Sequence, residues 1–319
     1  MRIGSVKLIL VTITVLGLGL ATGLSSPGGW KVELPYAVTS AHLDGHDLVF
    51  VSETQLQRIA IFDVDLEENP VGYFSKPISD QRCDTNQKVN WTGFVYPRGI
   101  ARDTQGNWYI GDARGLILKF DKGGNPDTKW DIALYAQAKP ACGTKTFENK
   151  DGTILVGPQF DGAVDSIHYN AATHTLFVAD AGNNRVVQIN PDTAQLTDLK
   201  IPSLNYPMSV STDILGMRLY VADSNNNRIV LWDLDKGQAV PNTFWNVISL
   251  SSYGITDCYK YVYVSDTFND RVLIFESNGA LVGKLGDVPT PVGIACDLSR
   301  EAYVASFASD KLFQFKASP

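Results

Sequence analysis

The chain has 319 residues, of which 44% are hydrophobic and 19% charged, with 27 glycines and 15 prolines. So much apolar content with so little charge excludes a disordered chain, and the frequent glycine and proline exclude a coiled coil or long helical array. A formal charge of −7 repels phosphate backbones, which makes nucleic acid a poor partner class.

Residues 1–26 read as a secretory signal peptide. Arg2 and Lys7 form a positive start, Leu8 to Leu20 is almost wholly apolar, and Ala21-Thr22-Gly23 or Gly23-Leu24-Ser25 offers small residues for cleavage. The apolar core is shorter than the roughly 20 residues a membrane span needs. The competing reading is an uncleaved N-terminal anchor, because no charge falls between Lys7 and Lys31. Both readings put residues 27–319, expected to be one domain, outside the cytosol. Cys83, Cys142, Cys258 and Cys296 fit such an oxidising compartment, and Asn90-Trp91-Thr92 is a glycosylation acceptor.

Residues 30–34, Trp-Lys-Val-Glu-Leu, alternate like a lone strand. After them a unit recurs: VSETQLQRIAIFD at 51–63, IGDARGLILKFD at 110–121, VADAGNNRVVQIN at 178–190, VADSNNNRIVLWD at 221–233, VSDTFNDRVLIFE at 264–276 and VASFASDKLFQFK at 304–316. Its aspartate moves from 180 to 223 to 266, a spacing of 43 residues twice. Each copy follows a short apolar run: PYAV at 35–38, PRGI at 97–100, VDSI at 164–167, PMSV at 207–210, SYGI at 252–255 and PVGI at 291–294. A fourth run follows the unit, as in TFWNVIS at 243–249 or ALVGKL at 280–285. Four short strands per roughly 40 residues, six times over, is the arithmetic of a propeller blade.

The unit P-x-G-I followed by Y-V-A-D-x-x-N-N-R-I/V resembles the NHL repeat, best in the third, fourth and fifth copies. The resemblance covers the chain from about residue 30 onward. It implies an all-β fold, a single six-bladed β-propeller of four-stranded blades. The sixth copy stops after its third strand, so residues 30–34 are expected to supply the missing outer strand and close the ring.

A residue repeated in every blade solves a problem every blade has. Asp112, Asp180, Asp223 and Asp266, with Glu53 in blade 1, are therefore expected to hold the turn that follows and to pair with the basic residues Arg58, Arg185, Arg228 and Arg271. Ligand-binding residues are expected where the copies differ. The slot before the glycine-like position reads Tyr36, Arg98, Asp165, Met208, Tyr253 and Val292, a mixed ring assigned to the tunnel mouth. Two insertions, 77–95 and 135–159, flank blade 2 on one face. A Cys83–Cys142 bridge would pin them as a lid, while Cys258 and Cys296 fall on adjacent blades as either a second bridge or, for Cys296, a buried thiol.

Propeller enzymes of similar build set three tests. A zinc lyase of the amidating type needs three converging histidines, whereas His42, His46, His168 and His174 come from two blades. A calcium hydrolase of the gluconolactonase or paraoxonase type needs six or more oxygens, for which Glu53, Asp165 and Asn170 are the donors in view. A strictosidine-synthase-like reaction needs a tunnel glutamate, and none is well placed. No catalytic residue and no cofactor is expected on these grounds, calcium being the metal to test. The expected function is a binding platform for a protein, peptide or glycan. The alternatives are a metal-dependent hydrolase or lyase acting on a small molecule at the tunnel mouth, and a purely structural part.

Overall fold

The computed structural model describes residues 30–65, 69–76, 93–135, 146–148, 154–156, 160, 163–240, 245–246 and 254–316. Six antiparallel sheets are arranged as the blades of a propeller, and a separate two-stranded sheet pairs Thr146–Glu148 with Ile154–Val156. Blade 1 comprises Pro35–Leu43, His46–Glu53, Arg58–Asp63 and Gly72–Phe74. Blade 3 comprises Ser166–Asn170, Thr175–Asp180, Arg185–Ile189 and Leu196–Asp198, and blade 5 comprises Ile255–Cys258, Tyr261–Asp266, Arg271–Glu276 and Leu281–Leu285. The innermost strand of each blade lies beside that of the next, and that of blade 6, Pro291–Cys296, returns to blade 1. The upper face carries the connections into the innermost strands and the turns between second and third strands. The lower face carries the hairpins between innermost and second strands.

The sequence accounts for these strands. Second strands such as Leu219 to Ala222 and Val262 to Ser265 are buried along their whole length, because each is covered by a neighbouring blade on either side. Continuous apolar runs are what such two-sided burial requires. At the lead-in signals the ladder shifts register, between Pro35 and Val38, Pro97 and Ile100, Pro207 and Ser209, and Pro291 and Ile294. The glycine there is set by crowding at the axis. A Cβ on Gly254 would stand 2.1 Å from the Val292 carbonyl oxygen. Where blades 3 and 4 place serine instead, Ser166 and Ser209 accept the Val210 and Ile255 N–H groups of the next blade, at 3.2 Å each.

The ring closes as the lone N-terminal strand suggests. Trp30–Lys31 pairs with Leu312 and Lys311 as the outer strand of blade 6. Trp30 is buried, stacked on Phe62 of blade 1 at 5.2 Å and tilted against Tyr303 of blade 6 at 6.0 Å. Beyond it the Val32 N–H reaches the Asp310 carbonyl, and the Leu34 N–H reaches the Asp310 carboxylate.

Two blades depart from the four-strand expectation. Blade 2 has three strands, Pro97–Arg102, Trp108–Asp112 and Ile117–Phe120, and then a helix, Thr128–Tyr135. The helix satisfies the edge that a fourth strand would have covered. The Ile117 N–H donates to the Tyr135 hydroxyl at 2.6 Å, the Lys119 N–H donates to Asp131 at 2.9 Å, and the Lys119 carbonyl accepts from the Asp127 N–H. In blade 4, among the described residues, Gln238–Ala239 and Trp245–Asn246 pair with opposite ends of the third strand, Arg228–Asp233, and the rest of the run expected at 243–249 lies outside them.

Candidate functional site

The repeated carboxylates are turn clamps. Asp180, Asp223 and Asp266 are buried, face Arg185, Arg228 and Arg271 across the end of the hairpin, and bind the arginine Nε at 2.6–2.7 Å. Each also accepts from an asparagine three residues on, at 2.8–3.1 Å: Asn183, Asn226 or Asn269. Glu53 holds Arg58 in the same way and accepts the Glu33 N–H at 2.8 Å. Asp223 accepts the Asn205 N–H at 2.7 Å, so the clamp also fixes the chain entering its blade. In blade 2 the clamp is local, with Asp112 bound to Arg114 two residues away. The residue before each strand-leading arginine, Gln57, Asn184, Asn227 or Asp270, is left-handed, with φ of 51–52°. Asparagine and aspartate tolerate that conformation better than most residues.

Three of the proposed mouth residues come together. Arg98 Nη1 donates to Asp165 at 2.8 Å and to the Tyr36 hydroxyl at 3.3 Å, with its guanidinium 4.7 Å from the centre of the Tyr36 ring. Burial pushes the Asp165 carboxyl up, and Arg98 pulls it partly back. Met208 and Val292, from the same slot, are buried, and Val292 packs among Val38, Ala295 and Tyr303 between blades 6 and 1. Tyr253, Cys83, Cys142 and Asn90 lie outside the described residues, as does the segment 1–26.

The candidate metal donors are separated. Glu53 is the blade 1 clamp and Asp165 belongs to the upper mouth. Asn170, at the other end of the same strand, is spent on Thr212, the Asp213 carbonyl and Thr173. Among the described residues no group of three or more His, Cys, Asp or Glu side chains is placed to hold a metal ion. The histidines are likewise dispersed. His42 meets Asp47 at 2.7 Å, His46 meets Asp63 at 2.9 Å and His174 meets Asp192 at 3.0 Å. His168 bonds Thr212 at 2.9 Å, and burial pushes it down to about 4, leaving it neutral at physiological pH.

A cavity of about 530 Å³ runs down the axis and is lined by the innermost strands of all six blades. Tyr36 and Asp165 line its upper end, and Asp213, Asp257, Tyr259 and Leu298 its lower end. Asp257 was not singled out by the sequence because it occupies a slot held by Thr212 in blade 4 and Arg102 in blade 2. Burial and the charge of Asp213 push its carboxyl up to about 7, against hydrogen bonds from the Tyr259 N–H and the Tyr220 hydroxyl. Its neighbour Cys258 forms a disulfide with Cys296, Cα atoms 5.6 Å apart, joining the innermost strands of blades 5 and 6. That bond overturns the buried-thiol reading of Cys296 and fits an oxidising, extracytoplasmic compartment. Among the described residues no helix is long and apolar enough to cross a membrane.

The chain is similar in structure to a streptogramin B lyase, with 13% identity and a TM-score of 0.55 over 90% of this chain and 96% of that one. It is similar to virginiamycin B lyase from Staphylococcus aureus, with 13% identity and a TM-score of 0.54 over 88% and 80% of the two chains. It is also similar to hydrazine synthase of Kuenenia stuttgartiensis, with 13% identity and a TM-score of 0.55 over 94% and 98%. No family model and no curated protein matches the sequence. At such identities the likeness shows the fold alone, and the fold is a six-bladed β-propeller.

Proposed function

We propose that the chain is an extracytoplasmic propeller of the NHL type that serves as a binding platform, with its upper face engaging a protein, peptide or glycan. The observation that carries this reading is the apolar arc beside the upper mouth. Leu56, Phe268 and Phe307 are exposed on the turns between second and third strands of blades 1, 5 and 6, which are consecutive around the ring. Phe268 is 66% exposed, with no core role to account for it. Large apolar side chains exposed on consecutive turns of one face are the composition of a recognition surface. Arg98, Asp165 and Tyr36 would supply the directional contacts.

The test is a peptide and glycan array probed with the purified domain, followed by titration of the best ligand. Phe268→Ser with Phe307→Ser should weaken that ligand at least tenfold without lowering the melting temperature. Equal binding by this double variant would remove the upper face from the account.

A second reading, a lyase or hydrolase acting on a small molecule within the cavity, is favoured by one group. The Asp257 carboxyl, pushed up to about 7 against the cavity wall, has the acidity of a general acid–base catalyst. Turnover that disappears in Asp257→Asn would favour it over the platform.

A further inference from the structure

The lower mouth of the axial cavity combines two kinds of surface. Its rim is apolar on one side, where Ile214, Tyr259 and Leu298 stand exposed on the hairpins of blades 4, 5 and 6, all lining the cavity. Leu215 and Met217 extend that rim outward and are exposed as well. Just inside lie two carboxylates, Asp213 and Asp257.

These carboxylates differ from the others along the axis. Asp165 has Arg98, and Asp47 has His42. Asp103 and Asp297 are absorbed into their own hairpins through Tyr109 and Tyr303. Asp213 is tied into its own hairpin as well, accepting the Met217 and Arg218 N–H groups through Oδ1, but the tyrosine of its blade, Tyr220, donates to Asp257 instead. The Arg218 guanidinium is felt at Tyr220 but pairs with neither carboxylate. Among the described residues no lysine, arginine or histidine forms an ion pair with Asp213 or Asp257. Two half-buried carboxylates close enough to repel each other, without a counter-cation, concentrate negative charge beside space for an organic molecule.

We propose that this mouth binds an amphipathic primary ammonium, its charged head between Asp213 and Asp257 and its apolar body against Ile214, Tyr259 and Leu298. A bare divalent cation fits less well. It would seek six or more oxygens and gain nothing from the apolar rim. An ammonium presents three donors, and its alkyl or aryl body covers the rim. A carboxylate ligand would be repelled. The inference is independent of the upper-face platform, since it uses neither the same mouth nor the same residues.

The experiment is calorimetric titration of the purified domain with n-hexylammonium, 1-hexanol and hexanoate, which share a body and differ in the head. Hexylammonium is expected to bind at least tenfold tighter than hexanol, with no binding of hexanoate. Asp257→Asn should weaken hexylammonium at least tenfold with hexanol unchanged. Leu298→Ser should weaken hexylammonium and hexanol alike. The series on the unaltered protein needs no variant to fold. Equal affinities for hexylammonium and hexanol, failure of hexylammonium to bind, or full affinity in a folded Asp257→Asn protein would each overturn the proposal. Binding of hexanol alone would leave a cavity for apolar ligands and remove the ammonium.

Discussion

At the upper end of the axial cavity Asp165 faces Arg98, with Tyr36 completing the set. At the lower end Asp213 and Asp257 face each other without an ion-pair partner among the described residues. Asp165 and Asp257 sit in similar places, on or beside innermost strands of the same ring. Compensation separates them. A buried carboxylate with its own guanidinium is a finished piece of architecture, whereas a carboxylate pair without a cation leaves a mutual repulsion that a cationic ligand can relieve. The turn clamps, each paired with an arginine, belong with the finished pieces.

The largest effect should come from removing what both ends depend on. Deleting residues 30–34 leaves blade 6 with three strands and exposes the edge of Lys311–Lys316, and the cooperative thermal transition is expected to vanish from calorimetry. Next is the bond beside the lower end. Cys258→Ser with Cys296→Ser frees a 38-residue separation, and chain-entropy arithmetic puts the loss at about 3–4 kcal/mol, readable as a lowered denaturant midpoint. Asp165→Ala strands Arg98 without its carboxylate and should cost about 2–3 kcal/mol, with little of it recovered at low pH. Asp257→Asn tests the contrast most directly. Because the folded-state value is raised to about 7 from 3.8, the folded protein holds a proton that the unfolded chain has lost. Its contribution is fully present below about pH 4 and is lost as pH rises through 7. The variant should therefore show a flatter stability between pH 5 and pH 8, by on the order of 1 kcal/mol after allowance for its partial exposure. An identical slope in both proteins would mean that Asp257 is ionised throughout.

The blades were legible because the repeat writes each one in the same order, and the closing strand because a six-copy pattern with one strand missing needs another from elsewhere. The helix of blade 2 was hidden by that same pattern. A template of four strands has no place for Thr128–Tyr135, although Asp127, whose carboxylate accepts the Trp130 N–H at 3.1 Å, is a helix-start signal in the sequence. At the upper mouth the slot before the glycine identified Tyr36, Arg98 and Asp165, which contact one another. In blades 4 and 6 the same slot holds apolar side chains, and Met208 and Val292 are buried instead. Asp257 was illegible because its meaning lies in what is missing around it. Only the packed ring shows that Arg98 has no counterpart beside Asp213.

Blade 6 is assembled from both ends of the chain, with Trp30 lying against Leu312 across almost the whole length of the sequence. A growing chain therefore cannot complete the ring until its last strand has been made. Blades 1 to 5 can pair locally as they emerge, but the contact of blade 6 with blade 1 must wait for both termini to meet. A ring closed by a pairing of such long sequence separation stays open during synthesis until Lys311–Lys316 can meet Trp30–Lys31.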